Sequence, residues 1–281
     1  MHSLIPYFTG LGCSICYGVA TILEQVAAKR QENIDSLHPI HIVKLIKQTP
    51  YVLGIVLDLV GWALFLITAR TLPLFLTLSF VVLSLVVTAI IARIFLSIQI
   101  SYKEKFAMAL IVISIVVLGI IAQPSMTYSV NKYFILLLEV GPLPIALLSV
   151  FILKAHDKRH KLLMLSGVAG VSFGATGLIS RISNFTGFEL RNIFHIIILS
   201  LLAYGAIGLV TLSAALQEGN VNRVNSIVYT SELVLPSLLG MIFLNDKVKQ
   251  GLWPLLFICL AGVIAGTYIF AFDSRVESRK I

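Results

Sequence analysis

Apolar stretches of about 20 residues recur nine times along this chain, and each is long enough to cross a bilayer as a helix. In lipid the backbone must satisfy its own hydrogen bonds, so only helices and closed barrels can span. No segment alternates polar and apolar residues with the ten-residue beat of a membrane barrel. The expected fold class is therefore an all-α polytopic membrane protein. The spans fall at Leu4–Ala28, Tyr51–Ala69, Leu72–Ala92, Phe106–Ala122, Tyr133–Leu153, Leu162–Ser180, Ile193–Ala215, Val224–Leu244 and Leu252–Phe272. Composition agrees. The 281 residues are 58% hydrophobic and 12% charged, whereas a soluble domain carries about 25% charge. Mean hydropathy is +0.98. The longest polar segment is the loop from Lys29 to Pro50, so no separate soluble domain is expected. Residues Met1 to Phe8 lack the basic start of a cleavable signal peptide, and the first helix is expected to be retained.

The formal net charge is +8. The basic residues cluster at helix ends, which points to membrane topology rather than to a nucleic-acid partner. With the N-terminus outside, the inner segments hold 15 of the 21 Lys and Arg. These are Lys29, Arg30, Lys44, Lys47, Arg93, Lys103, Lys105, Lys154, Lys158, Arg159, Lys161, Arg223, Arg275, Arg279 and Lys280. The outer segments keep Arg70, Lys132, Arg181, Arg191, Lys247 and Lys249. The positive-inside rule thus predicts an N-terminus outside, a C-terminus in the cytoplasm, and a plasma (inner) membrane location.

The chain also repeats. An offset of 148 residues lays Ile94, Phe95 and Leu96 on Ile242, Phe243 and Leu244 without gaps. It also lays Arg70 on Glu218, Ser84 on Glu232 and Thr88 on Pro236. The two aligned spans run in opposite directions under the charge count. That is the mark of an inverted repeat, a common transporter architecture. The division expected is residues 1–123 as a first repeat of four helices, 124–272 as a second of five, and 273–281 as a cytoplasmic tail.

These segments resemble the drug/metabolite transporter superfamily with its EamA-type repeats. The residues that carry the resemblance are Gly54 through Arg70, a helix led by Pro73, then Ile94 to Leu96 and a helix ending Val117 to Ile120. In the second half they are Glu232 to Pro236, Ile242 to Asp246 and Ala261 to Gly266. Members of that superfamily usually have ten helices and often a Leu-Gly-Glu after the fourth. Here the first half is one helix short, and Leu96, Ser97 and Ile98 stand at that motif. A four-plus-five arrangement is similar to the NIPA-type magnesium transporters of the same superfamily. The resemblance implies a transporter and leaves the substrate open.

Candidate site residues are the polar groups within these spans. An ionised side chain at mid-membrane costs at least about 2.5–3.5 kcal/mol on insertion scales, so it normally faces a cavity or a partner. Asp58, Glu139 and Glu232 lie within spans, and Glu24 lies near the end of the first. In the eighth span Asn222, Asn225, Tyr229, Glu232 and Pro236 follow at helical spacing on one face. Pro236 has no amide hydrogen and frees the Glu232 carbonyl. The alternative is a kink with Glu232 bonded to a neighbouring helix. Glu139 precedes Gly141, Pro142 and Pro144, which should break or kink the fifth span and free the Leu138 carbonyl. Asp58 shares a face with Gly54, Gly61 and Phe65, and could carry a proton, ligate a cation, or pair with Arg70 or Arg181. Glu24 reads as an interfacial ion pair with Lys29.

The substrate- or ion-binding set is thus Asp58, Glu139, Asn225, Tyr229 and Glu232. The helix breaks are Pro142, Pro144 and Pro236. Gly167, Gly170, Gly174 and Gly177 form a face suited to close packing or to a substrate. Gly262 and Gly266 suit packing or a dimer face. Cys13 and Cys16 form a C-x-x-C in an apolar run, where packing is the better reading than redox or metal chemistry; Cys259 is read likewise as packing. His156 with His160, and His38 with His41, are read as solvated loop residues.

No P-loop, H-E-x-x-H or nucleophile elbow occurs. No enzyme activity and no cofactor are expected. The leading expectation is a secondary transporter of a small solute by alternating access. The rivals are a magnesium or other divalent-cation transporter, and a non-transport subunit that scaffolds a partner or handles a lipid-linked substrate. Expected partners are the solute or ion and membrane lipids, with a second copy or a membrane-complex subunit as further candidates.

Overall fold

The computed structural model describes residues 4–29, 48–96, 99–123, 130–154, 157–183, 193–218 and 221–272. Its helices are α1 (Ile5–Lys29), α2 (Thr49–Ala69), α3 (Leu74–Leu96), α4 (Tyr102–Ile121), α5 (Lys132–Val140), α6 (Pro142–Leu153), α7 (Lys158–Ser183), α8 (Ile193–Glu218), α9 (Val221–Phe243) and α10 (Trp253–Phe272). Two short strands, β1 (Ala122–Gln123) and β2 (Lys247–Val248), pair antiparallel. Among the described residues nine spans are long and apolar enough to cross a membrane, with α5 and α6 together making one of them. The fold class is an all-α polytopic membrane protein. Its apolar surface fits that class: Leu59, Leu147, Leu199 and Ile258 are largely exposed, although their side chains belong in lipid rather than water.

Local sequence sets the helix ends. Ser101 caps α4: its hydroxyl accepts from the Glu104 amide at 3.1 Å, and Glu104 accepts from the Ser101 amide at 2.6 Å. This capping box starts α4 at Tyr102, one turn before the first purely apolar residue, Phe106. Pro50 stands in the first turn of α2, where no amide donor is needed. At the C-terminus of α9, Asn245 adopts the left-handed conformation (φ 58°) and the Asp246 amide reaches back to the Gly240 carbonyl at 3.2 Å. The chain leaves the helix through this wide turn, with Asn in the left-handed place that glycine usually fills. Gly141 remains in the helical region, and its amide bonds the Leu137 carbonyl at 2.8 Å. Pro142 and Pro144 therefore interrupt the fifth span between α5 and α6 without reversing the chain.

Packing repeats itself in two sets. α1 packs against both α2 and α3, and α7 packs against both α8 and α9. α3 meets α4 as α9 meets α10, and the two sets join where α3 packs on α9 and α4 on α10. The match extends to single residues. The Ser14 hydroxyl of α1 donates to the Phe80 carbonyl of α3 at 2.6 Å. Gly170 of α7 comes against Val228, which lies 148 residues after Phe80. Gly18 lies under the Ser84 carbonyl, and Gly174 lies under the Glu232 carbonyl, again 148 residues on. A Cβ on Gly174 would sit 2.9 Å from that Glu232 oxygen. Small residues thus let α1 and α7 approach α3 and α9 backbone to backbone.

The two sets run in opposite directions. The N-terminal end of α1 meets the C-terminal end of α2 through Thr9 and Thr68, whose hydroxyls are 2.8 Å apart. The C-terminal end of α7 meets the same region: Ser180 donates to the Leu66 carbonyl at 2.9 Å. α1 and α7 are therefore antiparallel.

Candidate functional site

The middle of the bundle gathers polar groups from four helices. Glu232 of α9 is 7% exposed. Tyr229 lies one turn away on α9, and α9 packs on α3, which carries Ser84. Tyr17 and Cys13 of α1 lie within electrostatic range of Glu232. Asp58 of α2 lies beside Glu24 of α1, where the two helices touch at Gly54. Tyr17 and Tyr229 lie within electrostatic range of both Asp58 and Glu232.

Glycines make the approach possible. A Cβ on Gly54 would fall 2.8 Å from the Glu24 Cγ, and one on Gly61 would fall 3.1 Å from the Tyr17 ring. The Gly54–Asp58–Gly61 face is thus the surface on which α1 lies. Depth follows from helix rise. Glu24 is about 7–8 Å from the end of α1, Asp58 about 14 Å from the start of α2, and Glu232 about 16 Å from the start of α9. All three of those helix ends lie at the same end of the bundle, so the acids descend from near that end to its centre.

Two ionised carboxylates side by side repel, so a proton or a cation shared between them lowers the energy of the arrangement. Among the described residues, Lys, Arg and His form no ion pair with Glu24, Asp58 or Glu232. Nor does any group of three His, Cys, Asp or Glu among the described residues stand close enough to hold a metal ion. The arrangement suits a proton, or a cationic group entering between Asp58 and Glu232.

The other expected residues fall elsewhere. Glu139 is separate: it borders a small cavity with Ile135, Leu138, Ile179, Ile182, Ile197 and Ser200, and its carbonyl accepts from Ser200 at 3.2 Å. This face of α5 lies against α7 and α8. Asn225 is half-buried on α9, one turn from Tyr229. Pro236 does not break α9, and the Glu232 carbonyl that it frees is covered by Gly174. That oxygen is a packing contact rather than a ligand. Gly167 approaches Ser231, Gly170 and Gly174 lie on α9, and Gly177 meets Phe65. Gly262 and Gly266 pack against Ser114 and Ile111 of α4, an internal contact rather than a dimer face. Asp58 does not pair with Arg181, because Arg181 binds Asp246. His160 pairs locally with Asp157, whose carboxyl is held below its usual range chiefly by that hydrogen bond. The Glu24–Lys29 pair, Asn222, His156, His38 and His41 involve side chains outside the described residues.

One end of the bundle is shut by polar contacts between the halves. Arg181 of α7 and Asp246 after α9 form an ion pair at 2.8 Å, and both side chains are fully enclosed. The Arg181 guanidinium also donates to the carbonyls of Ala69 and Leu72, in the turn between α2 and α3. The second Asp246 oxygen accepts from the Leu74 amide at 2.7 Å and caps α3. β1–β2 pairing and the stacked rings of Phe134 and Phe243, 4.3 Å apart, lie at the same end. At the opposite end Lys161 of α7 pairs with Glu218 of α8 at 2.5 Å.

The role of Glu24 had a sequence signal. Cys13, Tyr17, Ala20 and Glu24 follow at four, three and four, one face of α1, as the polar face of α9 does. The Arg181–Asp246 pair had none beyond two charges near span ends. Neither a family profile, nor a curated protein, nor a solved structure matches the chain.

Proposed function

We propose that the protein is a secondary transporter that moves a small solute by alternating access, with a proton as the coupling ion. The observation that carries this reading is that Glu232, buried at the centre of the bundle, and Glu24 and Asp58, side by side nearer one end, form no ion pair with a cation among the described residues. Acids placed so deep are costly unless they serve a pathway. The packing of two like sets in opposite directions supports a rocking of one against the other about the shared centre.

Loop charge places the Arg181–Asp246 end outside and the Lys-rich end in the cytoplasm. In this reading the molecule is closed to the outside. Proton loss from the Glu24–Asp58 pair leaves two like charges that repel, which loosens α1 from α2 and lets a solute reach Glu232. Tyr229 and Asn225 orient the solute. Glu139 has no part.

The test is uptake by the purified chain in liposomes under a pH gradient, using a solute found by thermal stabilisation. Wild type accumulates the solute. Glu232→Gln and Asp58→Asn reduce accumulation to background while keeping the wild-type melting curve. Undiminished uptake in Glu232→Gln removes that residue from the mechanism, and uptake indifferent to the pH gradient removes the proton.

A further inference from the structure

An open cavity of about 420 Å³ lies between the end of α3 and the start of α4. Ile90, Arg93, Ile94, Ile100, Lys105 and Met108 line it. It combines two cations with an apolar wall. Among the described residues Arg93 and Lys105 form no ion pair. The nearest carboxylate in sequence, Glu104, is turned back to cap the Ser101 amide at 2.6 Å. Lys105 instead stands over the ring of Tyr102, 5.2 Å from its centre, and that ring is largely exposed.

The position within the span matters as much as the charge. Arg93 is one turn from the end of α3, and Lys105 is in the first turns of α4. Both therefore stand at headgroup depth, where Tyr side chains also collect. Ile94, Phe95 and Phe106 continue the apolar wall onto the outer surface of the bundle, each more than half exposed.

We propose that this cavity binds the phosphate of an anionic phospholipid, with Arg93 and Lys105 on the phosphate and Ile90, Ile94 and Met108 against the first carbons of its acyl chains. Charge complementarity selects an anion, and the apolar wall open to the lipid-facing surface selects one that carries chains. Bound there, the lipid ties α3, which carries Ser84 to the central site, to α4. The inference does not depend on transport.

The experiment uses the full chain purified in a nonionic detergent. Phosphatidylglycerol, phosphatidylcholine and glycerol phosphate are added separately, and binding is read by thermal shift and by native mass spectrometry. Phosphatidylglycerol is expected to raise the melting temperature and to remain bound, while the other two do neither. Each surface cation contributes about 1 kcal/mol to such binding, so Arg93→Gln with Lys105→Gln should weaken it about 25-fold. Lys103→Gln, whose side chain does not line the cavity, should leave it unchanged. Equal stabilisation by phosphatidylcholine, or unchanged phosphatidylglycerol binding in the double variant, overturns the proposal. Equal stabilisation by glycerol phosphate also overturns it and makes the site one for a soluble anion.

Discussion

Arg181 and Asp246 show how a membrane bundle can hold full charges inside. Each charge has more than one partner: the guanidinium meets a carboxylate and two carbonyls, and the carboxylate meets a guanidinium and a helix-start amide. Breaking a buried pair by removing one partner strands the other charge, at a cost of about 3–5 kcal/mol. Asp246→Ala should therefore lower the unfolding free energy in detergent by about that amount. Replacing both, with Arg181→Met and Asp246→Leu, should cost less than Asp246→Ala alone, because no charge is left over. A double replacement that costs more would mean the residues do not act as a pair. At this scale the sequence was partly readable. The α9 face placed Tyr229 and Glu232 side by side, and mid-span depth marked Asp58. Which acids meet depends on how each helix is rotated about its axis. Glu139 faces α7 and α8 instead, and no spacing rule records that rotation.

Between α7 and α9 the spacing is set by glycine. A side chain at Gly174 would run into Pro236 and the Glu232 carbonyl, and one at Gly170 into Val228 and Ser231. Overpacking of this kind costs about 1–3 kcal/mol. Gly174→Leu should destabilise the protein by at least that much and push α9 away from α7, so that activity falls with stability. Gly205 of α8 is the control, since a Cβ there meets nothing within 4 Å. Gly205→Ala should be neutral, or stabilising by about 0.5–1 kcal/mol through helix propensity. Thermal unfolding of the two variants decides; equal effects would show that close approach is not what Gly174 supplies. All nine spans were legible because length and hydropathy are properties of the segment itself. Their ends were less so. α4 starts four residues before Phe106, and α7 starts at Lys158 rather than Leu162, because capping and charged first turns extend a helix past its apolar part. α7 is among the most enclosed spans, yet its Gly and Ser content made it look less hydrophobic than the helices that face lipid.

Across the whole molecule, one end is closed by an ion pair, a strand pair and a ring stack, and the acids lie between that closure and the basic end. The 148-residue offset hinted at this plan from a few identities. The same offset relates Phe80 to Val228 and Ser84 to Glu232 at matching helix contacts, so the thin sequence likeness marks positions where packing leaves little choice. If the halves rock, the closed end must open. Gln123 and Lys247 face each other across β1 and β2, and both are exposed. Spin labels at Gln123→Cys and Lys247→Cys, with Cys13, Cys16 and Cys259 replaced, report the width of that end directly. In lipid, alternating access predicts two distance populations, one short as here and one longer, whose ratio shifts between acidic and alkaline buffer. Asp58→Asn should hold that ratio fixed. A single short distance at every pH would contradict the account.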